Sequence, residues 1–148
     1  MTSDDDANAT APAAERTARW RLWIALLLVL GLGAINLIVG LAGLRGIASV
    51  RHAGFGSLNA TAGALLLGLG IVALAVRRRG ADRAARLAFY FAAGVFTLVS
   101  GAEVIAVARG GDENAGARIT GVLLRLLVFV PLIAGGANAA SLVRKQER

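Results

Sequence analysis

The chain has 148 residues, 57% of them hydrophobic and 17% charged, with a net charge of +7 and no cysteine. Without cysteine there are no disulfides, no thiolate metal ligands and no thiol redox chemistry. The apolar residues form four long runs that are apolar on every side, which excludes an ordinary soluble domain and points to lipid as the solvent.

Residues 1–20 open with Asp4, Asp5 and Asp6 among alanines and threonines, and they are expected to form a disordered tail. Arg16, Arg19 and Arg21 then precede the first apolar run, Leu22–Leu44. That run exceeds the ~7–15 residues of a secretory signal, so it reads as an uncleaved anchor. The second run is Leu58–Val76, the third Leu87–Ala108 and the fourth Ile119–Leu142. Each can cross a bilayer, which takes ~20 apolar residues. The expected fold class is all-α: a polytopic membrane protein, with a four-helix transmembrane bundle over residues 21–143 and a tail at 144–148. No length remains for a second folded domain.

Basic residues set the expected orientation. Lys and Arg number three before the first span, two in the first loop, five in the second, two in the third and three after the last span. One side thus holds 11 and the other 4. The positive-inside rule places both termini and the second loop in the cytoplasm of a plasma membrane. Trp20 and Trp23, with Phe89, Tyr90 and Phe91, suit an aromatic belt on that side. A basic nucleic-acid binder would cluster its charge on one soluble face, and here the charge flanks the spans. The run Arg77, Arg78 and Arg79 is a topology determinant that also suits anionic lipid headgroups.

Helix association in lipid relies on small residues. The second span offers Ala60, Ala64 and Gly68 in four-residue steps, with Gly63 and Gly70 nearby; the third offers Ala93, Thr97 and Gly101; the first has Gly33, Gly40 and Gly43. Such stripes serve packing within the bundle, or one of them faces outward to meet a partner membrane protein or a second copy. Pro131 in the fourth span leaves the Leu127 carbonyl without its helical donor and predicts a kink.

Only two charges fall inside the spans, Glu103 and Arg125. Glu103 is roughly 7–8 Å and Arg125 roughly 9 Å from the loop joining their helices, so the two meet at one level. Asn36, Asn59, Thr61, Ser100 and Thr120 lie near that level. One reading is an ion pair that fixes the third and fourth helices in register, with Asn36 and Ser100 completing its hydrogen bonds. The other is a polar ligand site, with Arg125 as anion clamp and Glu103 as acceptor or proton carrier. His52, the only histidine, and the Gly54-Phe55-Gly56 turn belong to the first loop.

The stretches Asn36–Leu44 and Leu58–Ile71 resemble the helices of small four-span membrane proteins of actinobacteria. The resemblance implies a four-helix inner-membrane protein and brings no catalytic residues. No span carries a His or Cys, and the only Met is Met1, so haem ligation at depth is not expected. Metal-protease His pairs and a nucleophile elbow are likewise lacking. The expectation is a non-enzymatic membrane protein without cofactor or metal, working as an accessory or assembly subunit. The alternative is a small transporter or channel-like protein with its site at Glu103 and Arg125.

Overall fold

The computed structural model describes residues 4–45, 53–78, 82–110 and 114–145. All four expected helices are present: α1 (Asp4–Leu44), α2 (Ala53–Arg78), α3 (Asp82–Arg109) and α4 (Ala115–Lys145). Four helices are long and apolar enough to cross a membrane. Helix is the natural choice for such segments, because it satisfies every backbone N–H and C=O without help from water. Each helix packs against the next, and α4 closes the ring against α1. The termini of α1 and α4 thus share one end, here termed the terminal end. The α1–α2 and α3–α4 connections share the other, the distal end.

Several boundaries differ from the sequence reading. Helix α1 takes in residues 4–20, where disorder was expected. Three aspartates favour the positive N-terminal dipole, the alanines favour helix, and continuity with a long helix removes the cost of nucleation. Gly54, Phe55 and Gly56 belong to the first turns of α2 rather than to a loop. His52 and Arg79 lie outside the described residues, as does the side chain of Arg78. Helix α4 includes Pro131 within its length, as the fourth span was expected to.

The interior is unevenly filled. At the terminal end Leu22, Ala25, Phe89, Ala92, Ile133 and Ala137 are buried together. Phe89 is therefore core, not belt, whereas Trp20, Trp23, Tyr90 and Phe91 do face outward. Midway, Val29 and Leu66 are buried, and Phe96 meets Phe129 edge-to-face with ring centroids 6.0 Å apart. Only 17–28% of each helix's apolar window is buried, so most of this surface suits lipid rather than water.

Glycine joins α1 to α2 through Gly33 and Gly40, as expected for the first span, while on α2 the contact repeats every seven residues and only Ala60 of the expected four-residue series Ala60, Ala64 and Gly68 takes part. Gly33 and Gly40 on α1 face Gly56 and Gly63 on α2. A Cβ on Gly40 would lie 2.6 Å from the Ala60 Cα, and one on Gly63 would lie 2.6 Å from the Leu37 Cα. Gly68 and Gly101 have open space instead, and Ala64 is exposed. A seven-residue repeat stays on the shared seam only when antiparallel helices cross at a shallow angle. The four-residue stripe drifts off that seam and ends up outside.

Candidate functional site

Beyond the Phe96–Phe129 pair, toward the distal end, the bundle holds a cavity of about 310 Å³. Each helix contributes a polar side chain: Asn36 from α1, Asn59 from α2, Ser100 and Glu103 from α3, Arg118 and Arg125 from α4. Helical spacing explains the set. Asn36 is one turn past Leu32, Ser100 and Glu103 continue the inward face that begins at Phe96, and Arg118 is seven residues before Arg125 on the face that holds Val122 and Phe129.

The structure brings Glu103, Arg125, Asn36 and Ser100 to this one cavity. Arg125 Nη2 donates to Glu103 Oε1 at 3.3 Å, and Arg125 Nε donates to the Gly121 carbonyl at 3.4 Å. These are long for charge-assisted bonds, which favour 2.7–2.9 Å. The pair is also accessible, with side-chain exposures of 51% for Arg125 and 34% for Glu103. Asn36 and Ser100 do not complete its hydrogen bonds as expected. Asn36 Nδ2 donates to the Leu32 carbonyl one turn back at 2.8 Å. Ser100, only 6% exposed, has no hydrogen bond among the described residues, and neither has the Asn59 amide. Thr97 and Thr120 behave as hydroxyls in apolar helices usually do, donating to the Ala93 and Gly116 carbonyls at 2.8 and 2.9 Å. Ser100 keeps its hydroxyl for the cavity.

No known family, curated protein or solved structure matches this chain.

Function must therefore be argued from the cavity itself. Arg118 is the polar lining residue that sequence reasoning missed, because it was counted as a loop charge. Its seven-residue offset from Arg125 was the available signal. Thr61 and Thr120, expected at the same level, are exposed and do not line the cavity. Thr120 and Thr97 instead edge an apolar groove on the outer face of α3 and α4, lined by Leu124, Leu127 and Pro131. At the terminal end the Arg77 guanidinium sits 5.9 Å from the Trp23 ring centre, a cation–π contact that ties α2 to α1. Among the described residues no His, Cys, Asp and Glu gather into a group able to hold a metal.

Proposed function

We propose that this is a non-enzymatic integral membrane protein that binds a small polar group in its distal cavity. In this reading both termini are cytoplasmic, the membrane is the cell membrane, and the cavity belongs to the outer half of the bundle. One observation carries it: the cavity gathers polar groups that the protein leaves without partners. Among the described residues no buried side-chain N or O lacks a partner, so these groups are open to the cavity rather than sealed in the core, and in an apolar bundle such open polar groups need company. The Ser100 hydroxyl, the Asn59 amide and the remaining Arg125 donors thus call for water or a ligand. The packed layer of Val29, Leu66, Phe96 and Phe129 beneath them favours a one-sided pocket over a pore through a single chain.

The accessory-subunit reading has its own support. The Glu103–Arg125 pair links α3 to α4, and Ala64 and Gly68 form a small-residue surface on the outside of α2 that a second protein could approach. The two readings differ in whether water reaches the cavity. Since the chain lacks cysteine, single-cysteine labelling is free of background. In the delipidated protein in mild detergent, Asn59→Cys and Ser100→Cys should react with a small water-soluble thiol reagent, and Ala92→Cys, buried in the terminal half, should not. Protection of both cavity cysteines would mean a dry, structural core and would sink the binding reading.

A further inference from the structure

The residues at the rim show where the cavity opens. Four lining residues are exposed, and they come from only two helices: Ile35 (60%) and Val39 (42%) on α1, with Arg118 and Arg125 on α4. The lining residues from α2 and α3 are partly or fully buried. Toward the terminal end α1 and α4 are in close contact, since a Cβ on Gly136 would collide with the Ala25 side chain. The two helices thus close on each other at one end and leave a mouth at the other. A mouth between two neighbouring helices faces sideways, and in the membrane reading above it opens toward lipid.

Charge and shape then select the ligand. Arg118 is already engaged, so the charge open to a ligand is the part of the Arg125 guanidinium that Glu103 leaves uncovered. Arg125 has five N–H donors and spends one on Gly121 and one on Glu103, which leaves three for the cavity. A planar fork with free donors is matched to phosphate or carboxylate oxygens. Glu103 holds Arg125 by a single long bond, so an incoming anion displaces it at little cost. Beside these groups Leu32, Ile35 and Val39 make an apolar lane along α1 that runs out through the mouth. The cavity, about 310 Å³, has room for a headgroup but not for a whole two-chain lipid.

We infer that the cavity takes the phosphate headgroup of an anionic membrane lipid, which enters sideways between α1 and α4 and seats its phosphate on Arg125 while a chain stays on Ile35 and Val39. This rests on the binding reading above. The shared chemistry is a phosphate monoanion, and its source is the surrounding lipid rather than a soluble phosphate because the mouth opens into the membrane. Glu103 then acts as a stand-in for the anion when the cavity is empty, so removing its charge should strengthen binding.

The test uses the full chain in mild detergent, with retained lipid counted by native mass spectrometry. Phosphatidylglycerol and phosphatidylcholine of identical chains are supplied as competitors. The wild type should retain phosphatidylglycerol preferentially. Arg125→Gln should weaken that retention about tenfold, the value of one charge-assisted contact. Glu103→Gln should raise it several-fold. Val39→Trp, a change at an exposed position that the fold can absorb, should block the mouth and lower lipid retention while Arg125 remains. Where Arg125→Gln fails to fold, Arg125→Lys keeps the charge and loses the fork, and it should still weaken retention. Equal retention of the two lipids, or no loss in either Arg125 variant and in Val39→Trp, overturns the inference. Displacement of the lipid by soluble glycerol phosphate, unaffected by Val39→Trp, would identify a soluble anion entering from the distal end and also overturn it. Cysteines at Asn59 and Ser100 that label, with no preference for the anionic lipid, would retire this ligand while leaving the hydrated pocket standing; cysteines that stay protected would retire both.

Discussion

Gly63→Ala should pull α1 and α2 apart, and Gly68→Ala, five residues away on the same helix, should not. The Cβ added at Gly63 would stand 2.6 Å from the Leu37 Cα and 2.7 Å from the Gly33 carbonyl, where ordinary contact begins at 3.4 Å. The obstacle is backbone, so no rotamer change relieves it. The Leu37 N is nearer still, so the helices must separate by more than about 0.8 Å at that level. A gap of 0.5–1 Å forfeits roughly a quarter to a half of each dispersion contact along the seam. Overpacking of this kind costs about 1–3 kcal/mol, offset by about 0.5–1 kcal/mol of helix propensity gained on replacing glycine. A net loss of about 1–2 kcal/mol is expected for Gly63→Ala, and of similar size for Gly40→Ala. At Gly68, where nothing lies within 4 Å, only the propensity gain applies. Reversible unfolding in mixed micelles, followed by tryptophan fluorescence, would measure this. Trp23 is a suitable reporter because its ring lies against Arg77 across the same seam. Equal stability of the Gly63→Ala and Gly68→Ala variants would refute the close approach.

The Glu103–Arg125 pair should couple weakly. With one 3.3 Å contact and half-exposed side chains, a double-mutant cycle of Glu103→Gln and Arg125→Leu should give about 0.5–1 kcal/mol in detergent. A dry pair would behave differently, with single losses of about 3–5 kcal/mol largely recovered in the double variant, and that result would speak for a structural lock. Reporter fusions at residue 148 should be active only on the cytoplasmic side, and fusions between Gly110 and Ala117 only on the other; the reverse pattern would overturn the topology. Deletion of residues 1–15 should leave insertion intact, because Arg16, Arg19, Arg21 and the buried Ala18 remain, and absence of the shortened chain from the membrane fraction would contradict this.

Much of the architecture was legible because the spans are bounded by charge. The count from each loop put Glu103 and Arg125 at one level, and the structure has them in contact. Helix faces were the harder part. A helix that is apolar all round has no polar side to mark what is outside, so Ala64 and Gly68 looked as suitable for packing as Gly63, and Gly56 was assigned to the first loop. Only the antiparallel register of α1 against α2 distinguishes them. The same blindness hid the burial of Phe89 and the role of Arg118. The mouth between α1 and α4 could not be foreseen, since it arises from helices that are far apart in sequence. The helix over residues 4–20 was missed because a weak local propensity was judged alone, without the long helix it extends.

The glycine seam gives the molecule a grain. Helices α1 and α2 carry between them the means to pair, and both leave the ribosome before α3. The first hairpin can therefore assemble while the second is still being made. The cavity spans the division between the two: its amides, Asn36 and Asn59, belong to the first hairpin, and its ion pair and Ser100 belong to the second. Neither hairpin holds a pocket alone. A group lodged there is gripped from both sides of a joint, so occupancy strengthens the attachment of one half of the chain to the other, and loss of the occupant loosens it.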